Sequence, residues 1–237
     1  MGQRFNPARW LCLDFVEVYK VMISNITNIL IFIAGFVYSI ILHEIAHGFV
    51  AYLSGDDTAK KMGRLSLNPI PHIDPVGSIV IPGMCFLFSL LAGSSFIVGW
   101  ARPVPINPFQ FRKRRMGEIF VSLAGVTVNF VIMIIMIVLF AWTQMKVFVE
   151  LALTNFFLLY LNMLPIPPLD GYNFFINILP EAVSFPVKRF IAGRERVFLG
   201  ILFLIFASPA GQFIFRPVFP VFEFLATIVF SILGLKG

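Results

Sequence analysis

From Ile26 to Leu42 the chain carries no charged residue, and the next five residues are His43-Glu44-Ile45-Ala46-His47. The apolar run, counted from about Val21 to Leu53, is long enough to cross a membrane as a helix. On a helix, residues four apart project from one face, so His43 and His47 can share one zinc ion while Glu44 serves a water as base. Ionisable groups are costly in such a place, about 2.5 to 3.5 kcal/mol for an Asp at mid-helix on an insertion scale. They need partners, water or a metal.

Composition agrees with that placement. Of 237 residues, 59% are hydrophobic, 13% are charged and 29 are Phe, and the mean hydropathy is +0.91. A soluble domain could not cover its core with so little polar surface. The expected fold class is an all-α polytopic membrane protein with five or six transmembrane helices and a short extended or β-like re-entrant region. It reads as one membrane-embedded domain over residues 1–237, with a catalytic core at about 26–180 and C-terminal helices at about 197–235. The formal charge of +6 does not point to nucleic acid, because the basic residues fall in loops between apolar runs, as membrane orientation requires. Cys12 and Cys85 form no paired motif, and neither a disulfide framework nor a cysteine zinc site is expected. Met1 to Lys20, interrupted by Asp14 and Glu17, does not read as a removed signal peptide.

The apolar segments run from about 21 to 53, 76 to 100, 119 to 142, 147 to 165, 197 to 206 and 218 to 235. The second contains Pro82-Gly83 and Gly93-Ser94-Ser95, so it either crosses or re-enters from one side. The N-terminus lies inside in the first case and outside in the second. Both arrangements put 13 of the 18 basic residues on the cytoplasmic side. Arg112-Lys113-Arg114-Arg115 and Lys188-Arg189 are cytoplasmic in either.

A second chemical element is Asn162-Met163-Leu164-Pro165-Ile166-Pro167-Pro168-Leu169-Asp170-Gly171. Its prolines forbid a continuous helix and suit a polar cavity within the membrane. A catalytic zinc takes three protein ligands and keeps one position for water, so Asp170 is the candidate third ligand beside His43 and His47.

The combination resembles the site-2 protease family of intramembrane zinc metalloproteases. That family shares the His-Glu-x-x-His helix, a Gly-x-x-x-Asn element, here Gly125 to Asn129, and an Asn-x-x-Pro-x-x-x-x-Asp-Gly element, here Asn162 to Gly171. Gly63 to Pro69, His72-Ile73-Asp74-Pro75 and Gly99 to Pro108 resemble its compact prokaryotic branch, without PDZ or CBS domains. The resemblance covers roughly residues 26 to 180. It implies one zinc ion held by His43, His47 and Asp170, Glu44 as catalytic acid and base, and Asn129 near the substrate or its developing oxyanion. Asn162 is a further candidate for that role or for packing. It also implies a multi-pass protein of the cell membrane, with its site nearer the cytosol and a single-span membrane protein as substrate. Val126 stands where members often have Pro, and Tyr172 is a second departure.

Other residues have plainer readings. His72 is expected to make a structural hydrogen bond, with Arg64 and Asn68 bracing the same loop. Arg102-Pro103-Val104-Pro105-Ile106 suits an edge strand that could pair with an unwound substrate, or a stiff connector. Two other functions compete with the peptidase: a membrane metal-ion transporter, and a non-cleaving relative that binds helices. Convergence of the candidate ligands on two motifs disfavours the first, and intact Glu44 the second.

Overall fold

The structure is a computed structural model, and it describes residues 26–80, 84, 101–207 and 213–234. All regular secondary structure among the described residues is helical, with no strand. In chain order the α-helices are α1 (Ile26–Ser54), α2 (Thr58–Lys61), α3 (Arg114–Thr143), α4 (Lys146–Asn162), α5 (Asp170–Ile178), α6 (Glu181–Ile191), α7 (Glu195–Ala207) and α8 (Val218–Ile232). Short 3-10 turns lie at Ile70–His72 and Pro108–Gln110, and a π-helical turn at Pro75–Val80.

Three stretches are long and apolar enough to cross a membrane: Thr27–Ser54, Arg114–Thr143 and Phe213–Ile232. This is a membrane protein. The expected apolar segments near 147 and 197 form helices of 17 and 13 residues, α4 and α7, shorter than those three. Most of the segment expected at 76–100 lies outside the described residues. The β-like element is not found among the described residues: 101–107 run without regular secondary structure.

The sequence explains where α1 stops. Gly55 adopts φ +116°, a conformation open to glycine because it has no Cβ. Its N–H donates to the Tyr52 carbonyl at 3.1 Å, and the Asp56 N–H donates to the Ala51 carbonyl at 2.9 Å. That pair of bonds is a Schellman motif, which satisfies carbonyls the helix end would otherwise strand. The Arg112 N–H then takes the Ser54 carbonyl at 2.9 Å.

The chain divides into two compact units, residues 40–125 and residues 1–39 with 126–237. In the first, Ala51, Phe111 and Val121 form a small buried cluster, flanked by Val50 and Ile106. The second has the larger core, in which Met133, Ile137 and Phe140 of α3 pack with Ala152 and Phe156 of α4 and with Phe222, Ala226 and Phe230 of α8. There Gly35 lies against Leu151, and the Asn155 amide donates to the Ser39 hydroxyl at 2.9 Å. With little hydrophobic drive between helices in lipid, close packing at small residues and such hydrogen bonds hold them together.

Candidate metal centre

Within the unit of residues 40–125, α1 presents His43, Glu44 and His47. Both imidazoles are buried, at 8% and 7% exposure. Their Nε2 atoms are 3.0 Å apart, and the rings meet edge to face. Two nitrogens bound to one tetrahedral zinc at about 2.0 to 2.1 Å would lie roughly 3.3 Å apart, so the pair is already close to metal-binding spacing.

Helix α3 supplies the support. His47 Nδ1 lies 2.7 Å from the Val121 carbonyl, which can only accept, so Nδ1 carries the proton and the Nε2 lone pair faces His43. Metal-binding histidines are typically oriented by such a second bond. One turn further along α3, Gly125 leaves room for both rings. A Cβ there would stand 2.5 Å from His47 Nε2 and 2.6 Å from His43 Nδ1. The donor set and the space around it fit a zinc ion.

Glu44 is half-buried, and its Oε2 accepts the Val104 N–H at 2.9 Å. The segment 101–107 thus meets α1 through a main-chain donor. His72 has the structural role expected of it: it is buried, with Nε2 2.9 Å from the Ser66 carbonyl. Arg64 Nη2 donates to the Arg102 carbonyl at 2.6 Å, and Asn68 Oδ1 accepts the Ile70 N–H, so both brace this region. Burial chiefly, then the charge of Arg102, lowers the Arg64 pKa, with Glu44 opposing. It remains a cation at neutral pH.

Asp170, Asn129 and Asn162 belong to the other unit. Asp170 opens α5, where a carboxylate meets the positive end of the helix dipole. Gly171 makes that turn possible: a Cβ there would run into the backbone of Met163 and Leu164. Asn129 is fully buried at 0% exposure, and neither of its amide atoms has a hydrogen-bond partner among the described residues. Asn162 spends its amide nitrogen within α4, on the Leu158 carbonyl at 2.9 Å.

The sequence reading missed three contributors: the Val121 carbonyl, the Val104 N–H and the steric reason for Gly125. Gly125 stood in a recognised motif, but the two main-chain groups carry no side-chain signature.

The chain is 36% identical over 196 residues to "Putative zinc metalloprotease YwhC" of Bacillus subtilis, an alignment covering 77% of this chain and 82% of that protein. It belongs to that zinc metalloprotease family. Rip2 of Mycolicibacterium smegmatis, which bears the same description, is 27% identical over 91% of this chain and 80% of its own length. Rip2 of Mycobacterium tuberculosis strain H37Rv is 31% identical over 75% and 66%. No family model matches the chain. No solved structure matches it either. In this family member, His43 and His47 are the buried histidine pair described above.

Proposed function

We propose that the chain is an intramembrane zinc endopeptidase of the site-2 type, hydrolysing a peptide bond within or near the transmembrane segment of a single-span membrane protein. The observation that carries this reading is the His43 and His47 pair on a membrane-length helix, Nε2 to Nε2 at 3.0 Å, with Glu44 between them in sequence. Asp170 is the proposed third donor, on the strength of its motif: two imidazoles and one carboxylate, with a fourth position for water, is the composition of a catalytic zinc site. Zinc supplies Lewis acidity there, acidifying water and polarising the scissile carbonyl.

The chain's own residues divide the remaining work. Val121 holds His47 in one tautomer through its carbonyl. Val104 holds one Glu44 oxygen, and Glu44 takes the proton from water and delivers it to the departing amine. Asn129, buried with both amide atoms unpartnered among the described residues, is the proposed donor to substrate or oxyanion. Asn162 is a weaker candidate, because its amide nitrogen already serves its own helix. The setting proposed is a multi-pass protein of the cell membrane with its site toward the cytosol.

The test pairs purified wild type with Glu44→Gln on a panel of single-span substrates in proteoliposomes, with metal analysis of both. Wild type is expected to carry one zinc per chain and to cleave; the variant should keep its zinc and lose at least about a hundredfold in rate. Retained turnover in Glu44→Gln would remove this mechanism. His47→Ala and Asp170→Ala should both lose zinc, and full zinc retention by Asp170→Ala would strike that residue from the ligand set.

A further inference from the structure

The extended segment 101–107 has a role that the metal centre does not account for. Pro103 and Pro105 lack an N–H, so Val104 offers the sole main-chain donor between Arg102 and Ile106. That donor goes to Glu44 Oε2 at 2.9 Å. The peptide groups of Arg102 are held on both sides: its N–H donates to the His72 carbonyl at 2.8 Å, and its carbonyl accepts from Arg64 Nη2 at 2.6 Å. At the far end the Asn107 N–H donates to Asp56 Oδ2 at 2.6 Å.

Two further observations make Arg64 more than a loop contact. It is only 6% exposed, and its Nε has no hydrogen-bond partner among the described residues, an expensive arrangement for a charge whose sole task is to bind one carbonyl. The segment it clamps is also fitted to the catalytic helix. Val104 packs at Gly48, one turn beyond Glu44, where a Cβ would come within 2.8 Å of Val104 Cγ1. Arg64, Arg102, Val104, Gly48 and Glu44 all lie in the unit of residues 40–125.

We propose that Arg64 is a positioning residue for Glu44: by clamping the Arg102 carbonyl it keeps the Val104 N–H on one carboxylate oxygen and so sets which oxygen faces the water. The inference rests on the reading of Glu44 as the general base. Its physical content, a main-chain donor held in place by a buried guanidinium, can be measured without turnover.

Hydrogen exchange of the peptide spanning 102–106 in the full-length, zinc-loaded protein reads that donor directly. Arg64→Met and Arg64→Gln should speed exchange there by about tenfold or more, and Glu44→Ala should do the same, since each releases the Val104 amide. Arg64→Lys, which can still reach the Arg102 carbonyl, should remain near wild type. With a cleavable substrate, Arg64→Met should lower kcat by about 10- to 100-fold with KM within about twofold and zinc content unchanged, the pattern of a lost transition-state interaction. Val104→Pro, which deletes the donor, should match it, and the double variant should be no worse than either alone. Unchanged exchange in Arg64→Met, or kcat losses that multiply in the double variant, would overturn the proposal. If Arg64→Met does not fold, Arg64→Gln decides the exchange result. If wild type cleaves nothing, the peptidase reading fails while exchange still decides the role of Arg64.

Discussion

At the scale of single residues, the centre depends on what α3 omits as much as on what α1 supplies. Gly125→Ala places a methyl group against both imidazoles. Such overpacking costs about 1 to 3 kcal/mol, and it should fall on metal binding: zinc affinity is expected to drop by about tenfold or more, read by competition with a chromogenic chelator. Affinity equal to wild type would mean that the rings can move aside. The His-Glu-x-x-His motif was legible in the sequence because its spacing matches a helical turn within one element. The partners of His47 and Glu44 were not, because a carbonyl at 121 and an N–H at 104 exist whatever the side chains are, and only the fold brings them near.

At the scale of elements, the C-terminus of α1 is fastened by Asp56, two residues past the helix. This carboxyl is fully buried and accepts from the backbone N–H groups of Thr58 and Asn107. Burial pushes its pKa up, but the hydrogen bonds from the Thr58 side chain and from the Asn107 and Thr58 N–H groups outweigh it, leaving the carboxyl below its ordinary value. A depressed folded-state pKa means stability present above the unfolded value of about 3.9 and lost as pH falls through the folded one. Acid melting should therefore steepen below about pH 4, and Asp56→Asn should flatten that part of the curve. Asp56→Ala, which leaves two partly buried N–H donors without their acceptor, should cost about 1 to 3 kcal/mol at neutral pH. The long helices α1 and α3 were readable from apolar length alone. The alternating prolines at 103 and 105 were compatible with a strand or a connector, and the connector formed, with Val104 donating to a carboxylate rather than to a neighbouring strand.

At the scale of the whole molecule, composition announced a membrane protein, and three helices of membrane length bear that out. The span count was less legible, since α4 and α7 are apolar but short, and hydropathy alone does not separate a short crossing from a buried helix. Removal of zinc should lower Tm, because a ligand that binds only the folded form at a hundred times its Kd adds about 2.7 kcal/mol. An unchanged Tm after chelation, with zinc shown to be gone, would make the metal irrelevant to the fold. Helix α1 has 29 residues, about 44 Å at 1.5 Å per residue, against a hydrocarbon slab of about 30 Å. It must lean or protrude, and bilayers answer such mismatch by changing tilt or local thickness. On the proposed intramembrane reading, the depth of His43 and His47 is set partly by acyl-chain length, and reconstitution into lipids of graded chain length should move the proposed cleavage point along the substrate.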